Sequence, residues 1–215
     1  MKSDKTMKSN YNILKGCLFF VYVLLVACYP NEPENVEDFD LVYTNYAPEF
    51  TFQDQYTYSL PDGVIKLDDD TDENEPPEFI DTNFSDAIIS KIRENLNAKG
   101  WQEVNENQNP DIVVLPSAFN QNFLYYYNPG YWGWYYPGCF PGWGWYYPGY
   151  SPGYVSGFKT GTVLIQMTSA NDIQDVQVPV IWLGALNGLL QGSDSYTISR
   201  IDNGIDQAFT HAPFN

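Results

Sequence analysis

Lysine and arginine are scarce in this 215-residue sequence, which has 10 of them against 27 aspartates and glutamates and a formal net charge of −17. Proteins that bind nucleic acids need basic side chains to neutralise phosphates, so the deficit argues against a nucleic-acid partner. The 3 cysteines and 1 histidine leave almost nothing for a zinc site or for thiol–imidazole catalysis. The GxSxG, HExxH, Walker and GxGxxG motifs are also absent. The sequence therefore predicts no catalytic residue, no cofactor and no metal site.

Long hydrophobic runs are equally rare, and the clearest one, residues 16–27, lies near the N-terminus behind a lysine-rich segment. Twelve residues in a helix span about 18 Å, which is too short for a bilayer core of roughly 30 Å. A basic segment followed by a short apolar run and a small residue is typical of a secretory signal. We therefore predict that residues 1–27 are a signal peptide.

The residues at the end of this run, Leu25-Val26-Ala27-Cys28, look like a lipobox, where a bacterial lipoprotein is cut between Ala27 and Cys28 and acylated on the cysteine. Residues 28–40, rich in proline, asparagine and acids, then have the composition of a tether. Tyr29 stands where an aspartate would signal retention in the inner membrane, which favours the outer membrane. The alternatives are a plain signal peptide or an N-terminal anchor helix. Cys139 would be the one remaining thiol, most simply a free one, because Cys17 is removed with the signal.

The rest of the chain, residues 41–215, alternates strand and helix patterns. The pattern of residues 41–60 predicts extended structure, and that of residues 112–115 predicts a strand buried on both faces. Residues 160–168 and 176–183 form a predicted hairpin in which Pro179 requires either an edge position or a bulge. Two amphipathic helices are predicted, one over 83–99 with Asn83 or Ser85 as its cap and one over 196–209. This order predicts an α+β two-layer sandwich, a mostly antiparallel sheet with two helices on one face.

An acidic insertion over residues 68–78 contains seven acids and two prolines. Asp68, Asp70 and Asp72 have the spacing of the first calcium ligands of an EF-hand loop. However, Glu73 stands where that loop needs glycine, and Phe79 where it needs its last glutamate. A solvated, self-repelling loop is therefore the favoured interpretation.

Residues 123–154 form a tract in which half of the side chains are aromatic, interleaved with glycine and proline. The heptapeptide WGWYYPG occurs twice in it, at 132–138 and 143–149. Glycine and proline at this density predict a loop or a short irregular hairpin. The summed surface area of so many rings is larger than the apolar patch that a monomer normally exposes. The rings must therefore pack on one another, on the domain, on a membrane interface or on a ligand. If sugars bind there, the stacking residues would be Trp132, Trp134, Trp143 and Trp145.

The order of these landmarks resembles the bacterial lipoprotein family catalogued as domain of unknown function 4136, over roughly residues 40–214. The resemblance implies an envelope location and this fold, and it carries over no catalytic residue. The matching segments are 50–58, Lys99-Gly100-Trp101, 109–114, the Gly/Tyr/Trp-rich central loop, 161–165, Trp182-Leu183-Gly184-Ala185 and Ala212-Pro213-Phe214.

Three hypotheses for function follow from the sequence. The leading one is an outer-membrane lipoprotein, anchored to lipid through Cys28, whose domain binds or scaffolds without catalysis. The second is a module that uses the aromatic tract to bind glycan or peptidoglycan. The third is a hydrolase with a carboxylate pair, which the many acids permit but none of them identifies. A glycan or an envelope protein is the expected partner besides lipid.

Overall fold

The computed structural model describes residues 41–68, 76–119, 132–135, 144–150, 161–172, 176–188 and 192–214. Contacts divide the chain into Met1–Asp38 and Phe39–Asn215, and every described residue lies in the second unit. The predicted signal peptide, the cleavage site at Ala27 and Cys28, and the tether lie outside the described residues, as do Cys139 and Trp143. Across those seven ranges, no helix has the length and apolarity that a membrane crossing requires.

The described part of the chain forms one eight-stranded sheet and two helices, which confirms the α+β prediction. The bounds are β1 Leu41–Tyr46, β2 Thr57–Ser59, β3 Ile65–Leu67, α1 Thr82–Ala98, β4 Gln102–Glu103, β5 Ile112–Phe119, β6 Gly144–Tyr146, β7 Thr162–Ser169, β8 Gln177–Asn187 and α2 Asp194–Thr210. The strands run β1-β8-β7-β5-β2-β4 across the sheet, with β3 beside β5 and β6 beside β8. The long pairs β1–β8, β8–β7 and β7–β5 are antiparallel, while the short strands pair in parallel.

Helix α1 begins one residue before its predicted start, and its cap differs from the prediction. The carboxylate of Asp81 accepts a hydrogen bond from the backbone N–H of Asn83 at 2.9 Å. Asn83 and Ser85, the predicted caps, therefore lie inside the first turn. The Ser85 hydroxyl oxygen is buried and accepts from the backbone N–H of Val64 at 3.0 Å, so it holds the loop beneath the helix instead.

The predicted extended segment 41–60 is not continuous. It contains β1 and β2, and the alternating residues Phe50 and Phe52 between them belong to no strand. Their rings lie 4.8 Å apart between centroids, and Phe52 packs 5.2 Å from Phe214 at the C-terminus. The alternation therefore serves a ring cluster rather than a strand.

Both faces of the sheet are covered. Strand β5 shows this most clearly, because Val114 faces a cluster with both helices while Val113 and Leu115 face a second cluster. Trp132 and Trp145 of the aromatic tract lie in that second cluster, and both are buried. The described parts of the tract therefore pack on the sheet face opposite the helices.

Strand β8 carries a bulge close to Pro179 rather than lying at an edge. Thr168 pairs with Val180 and Met167 with Trp182, which leaves Ile181 as the extra residue. Ile181 and Trp182 consequently both face the helices, whereas Val180 and Leu183 face the aromatic layer. The bulge therefore reverses the alternation in the middle of the strand.

Candidate functional site

A cleft of about 760 Å³ lies at the β2–β4 side of the sheet, where four stretches of chain meet. They are the turn after β2, the first turns of α1, the segment after β4, and the first copy of the aromatic repeat. Ligand sites in proteins commonly have a volume of several hundred cubic ångströms. The residues lining the cleft are Leu60, Asp62, Gly63, Phe79, Ile80, Thr82, Ser85, Asp86, Glu103, Val104, Asn105, Glu106, Gln108, Trp134 and Tyr135.

Aromatic rings form one wall of the cleft. Trp134 is 47% exposed and stacks on the fully buried Trp132, with ring centroids 6.2 Å apart and an interplanar angle of 19°. Trp134 also contacts Phe79 edge to face, with ring centroids 5.4 Å apart, and Tyr135, with ring centroids 5.6 Å apart. The buried ring thus fixes the orientation of the exposed one, which leaves a flat indole surface beside the cleft.

Phe79 is held in this wall by the absence of a side chain at Gly63. A Cβ at Gly63 would lie 2.6 Å from Cδ1 of Phe79, so only glycine leaves room for the ring there. The backbone around Phe79 is tied to the strand region, because the Ile80 N–H donates to the Val64 carbonyl at 3.1 Å and the Lys66 N–H to the Glu78 carbonyl at 2.8 Å. The ring therefore rests on a fixed strip of chain.

The opposite wall is polar and rich in carboxylates. Asp62, Asp86 and Glu106 are exposed, while Glu103 is held by Arg93, whose Nε and Nη2 donate to its two oxygens at 2.6 and 3.0 Å. This two-point ion pair fixes the end of β4 against α1. The wall thus presents several carboxylate acceptors, of which Glu103 is fixed by Arg93.

Neutral groups complete the site. The turn after β4 closes on itself, because the Asn105 N–H donates to Oε1 of Gln108 at 2.9 Å and the Gln108 N–H to the Asn105 carbonyl at 2.9 Å. Burial first, and nearby carboxylates less strongly, raise the pKa of Tyr135 to about 12. The phenol therefore stays protonated at neutral pH and can donate as well as accept a hydrogen bond.

The four tryptophans predicted to stack on a ligand do not share one environment. Trp134 lies in the cleft, Trp132 supports it from the core, and Trp145 is only 7% exposed in the second cluster. Trp143 lies outside the described residues. Among the described residues of the second repeat, 144–149, the exposed ring is instead Tyr146, at a separate cleft of about 490 Å³.

Most of the cleft was not identified by the sequence analysis. Phe79, Glu103 and Gln108 come from stretches that carry no motif. The one local signal is Pro61-Asp62-Gly63, a typical turn sequence of which Asp62 and Gly63 line the cleft.

In the ranges that the structure describes, no group of three or more histidine, cysteine, aspartate or glutamate side chains could hold a metal ion. Of the acidic insertion, Asp68 and Glu78 both bind Lys66, at 2.9 and 3.0 Å, and residues 69–75 lie outside the described ranges.

Comparison with known proteins gives a family and a fold. The family model described as "Domain of unknown function (DUF4136)" matches residues 42–214. A crystal structure of a DUF4136 family protein from Bacteroides thetaiotaomicron is 27% identical, covers 81% of this chain and 96% of its own, and has a TM-score of 0.59. A variant of PelC from Paraburkholderia phytofirmans, a dodecamer, is 11% identical over 80% of this chain and 99% of its own, with a TM-score of 0.34 that supports no argument. No curated protein matches this chain.

Proposed function

The chain belongs to the DUF4136 family, and we propose that it is a lipid-anchored protein of the bacterial outer membrane whose domain binds saccharides in the cleft beside Trp134. The binding is non-catalytic. The single observation that carries the proposal is the exposed indole of Trp134, fixed by a buried ring beneath it, at the edge of a polar cleft.

A saccharide matches both walls of this cleft. Sugar rings have an apolar C–H face that packs on an indole, and their hydroxyl groups both donate and accept hydrogen bonds. The carboxylates can accept from those hydroxyls, while the Asn105 and Gln108 amides and the Tyr135 phenol can also donate. A mostly apolar ligand would leave the polar wall without hydrogen-bonding partners, at a cost in binding free energy.

The arrangement favours binding over hydrolysis. Hydrolysis of a glycosidic bond normally requires a pair of carboxyl groups, one of them able to give up a proton. Glu103 is the most enclosed carboxylate of the cleft, and its oxygens accept from Arg93 and, at 3.4 Å, from the Tyr58 hydroxyl. Both of its oxygens are therefore already engaged by donors of the protein itself, which gives Glu103 a structural role.

The anchoring half of the proposal uses Cys28 and the twelve residues that separate it from β1. A fully extended chain of that length reaches about 40 Å at most. An acylated Cys28 would therefore hold the start of β1 within about 40 Å of the membrane surface.

The binding half is tested by titrating the purified chain with peptidoglycan fragments and surface polysaccharides while following tryptophan fluorescence. We expect saturable binding that Trp134→Ala weakens at least tenfold, because stacking on the indole is lost. Tyr146→Ala is the matched control, since Tyr146 is 46% exposed in the second repeat and lies outside this cleft. A flat response to every saccharide, or equal losses in the two variants, would rule out the Trp134 cleft as the site.

A further inference from the structure

A second cavity, of about 280 Å³, opens at one end of the sandwich between the helices and the sheet. It lies among the first turns of both helices and the ends of β3, β5 and β7. Its wall is mainly apolar, with the side chains of Phe84, Ile88, Ala118, Phe119, Val163 and Ile201 contributing. An apolar wall and a small cross-section fit a hydrocarbon chain rather than a polar solute.

The cavity and the Trp134 cleft share a wall. Phe79 and Ile80 line both of them. This strip of chain is anchored by its backbone hydrogen bonds to Val64 and Lys66, so the two spaces keep a fixed relation to each other. One molecule with a sugar at one end and a hydrocarbon chain at the other could therefore occupy both.

We propose that the ligand of this protein is a glycolipid, with its glycosyl headgroup in the Trp134 cleft and one acyl chain in the apolar cavity. This inference rests on the saccharide binding proposed above and specifies its ligand class. A volume of 280 Å³ accommodates on the order of nine methylene groups, if each is taken as about the size of a water molecule in the liquid, roughly 30 Å³.

The charge around the cavity favours an uncharged headgroup. Lys66 lines the cavity, but it is already bound to Asp68 and Glu78, and Asp81 lines the cavity as a further acid. One lysine among three carboxylates gives a negative local charge, which repels the carboxylate of a free fatty acid or a phosphate. A glycosyl headgroup avoids this repulsion.

The position of the chain's entry into the domain agrees with a ligand that comes from a membrane. Leu41 pairs with Asn187, and Asn187 pairs with Thr162, which lines the cavity. Strand β1 therefore starts at the same end of the sheet as the cavity. An anchor at Cys28 would tether that end within about 40 Å of the lipid surface.

The experiment uses methyl, hexyl, octyl and decyl maltosides below their micelle concentrations, titrated into the full chain by calorimetry. We expect the affinity to rise by up to about fourfold for each added methylene, which is the ratio of affinities expected when a methylene becomes fully buried. The rise should level off near nine carbons. A series in which the alkyl length has no effect would overturn the glycolipid inference. Binding of the methyl glycoside would still measure the saccharide site, so the two proposals fail separately.

Two variants locate the two parts of the ligand. Ala118→Leu adds three carbon atoms inside the apolar cavity, so the gain in affinity should level off about three carbons earlier, near six, while methyl maltoside binding stays unchanged. Ala98→Leu, at an exposed position near the end of α1, is its control. Trp134→Ala should weaken every maltoside.

Decanoate completes the test and should bind more weakly than decyl maltoside. Tighter binding of decanoate, or a gain from hexyl to octyl maltoside that persists in Ala118→Leu, would overturn the proposal. So would a chain-length series that Trp134→Ala leaves unaffected, because the hydrocarbon would then bind without the sugar cleft. If a variant fails to fold, the alkyl series on the unmodified protein still tests the proposal.

Discussion

Gly204 sets how closely helix α2 approaches the sheet. A Cβ at this position would clash with Cδ2 of Leu186 on β8, and it would also contact Val42 on β1. Helix propensity alone makes glycine about 1 kcal/mol worse than alanine here. The close approach of the helix to β8 is the reason for a glycine that local propensity disfavours.

We predict that Gly204→Ala lowers the free energy of unfolding by about 1–2 kcal/mol, because overpacking outweighs the gain in helix propensity. Urea denaturation measures the change. Asn203→Ala, at the exposed neighbouring position of the same helix, should be neutral or slightly stabilising. Adding Leu186→Val to Gly204→Ala should recover part of the loss, and a Gly204→Ala protein more stable than the original would contradict the argument.

The Trp-Leu-Gly-Ala segment of β8 has a similar explanation. Trp182 is fully buried and packs against Phe209 at 5.3 Å and Phe214 at 5.8 Å between centroids. A Cβ at Gly184 would lie 2.6 Å from Cη2 of the Trp182 ring. Glycine two residues after the tryptophan therefore makes room for its indole.

Among the elements, the junction between β2 and β5 depends on one carboxylate. Oδ2 of Asp111 accepts from the Thr57 backbone N–H at 2.8 Å and from its hydroxyl at 2.6 Å. The Asp111 N–H in turn donates to the Thr57 hydroxyl oxygen at 3.0 Å. This reciprocal pair of hydrogen bonds holds the starts of two parallel strands together. Strand β2 leads into the turn whose residues Asp62 and Gly63 line the cleft.

We predict that Asp111→Ala lowers the free energy of unfolding by about 1.5–3 kcal/mol, the range for hydrogen bonds to a charged group. It should also weaken saccharide binding, since β2 and β4 both position cleft residues. Asp111→Asn keeps an acceptor oxygen and should lose less. Denaturation and the fluorescence titration together check this, and an Asp111→Ala protein with unchanged stability and binding would show that the junction does not depend on this carboxylate.

Long elements could be predicted from the sequence, whereas the short strands could not. The helices and β5, β7 and β8 follow from hydrophobic periodicity, which reports directly on burial. Strands β2, β3, β4 and β6 have only two or three residues each, and their pairing is decided by distant partners such as Tyr58 with Ile112. Local sequence contains no signal for such pairs.

The aromatic repeat shows why the residues of the candidate site could not be predicted from local sequence either. Its two copies are identical in sequence, yet Trp134 is exposed in the first copy and the equivalent Trp145 is buried in the second. Strand β6 places Trp145 against Val178 of β8, whereas the described residues of the first copy form no strand. Exposure is therefore set by tertiary pairing. The sequence could identify the aromatic tract but not which of its rings lies exposed in the cleft.

At the scale of the whole molecule, the net charge of −17 affects how the domain interacts with a membrane surface. A strongly anionic protein is repelled by anionic lipid surfaces over about a Debye length, roughly 8 Å at physiological ionic strength. The domain would therefore not adsorb to such a membrane by its charge. The proposed covalent lipid on Cys28, followed by a tether, would supply the attachment that its surface does not.

We predict that cells expressing the full chain incorporate radiolabelled palmitate into it, and that the protein fractionates with the outer membrane. Cys28→Ser should abolish the label and release the protein from the membrane fraction, because no acyl chain can be attached. Cys139→Ser is the matched control and should keep both the label and the location, since its thiol lies in the mature domain. A Cys28→Ser chain that is still labelled and still membrane-bound would show that the attachment does not depend on this cysteine.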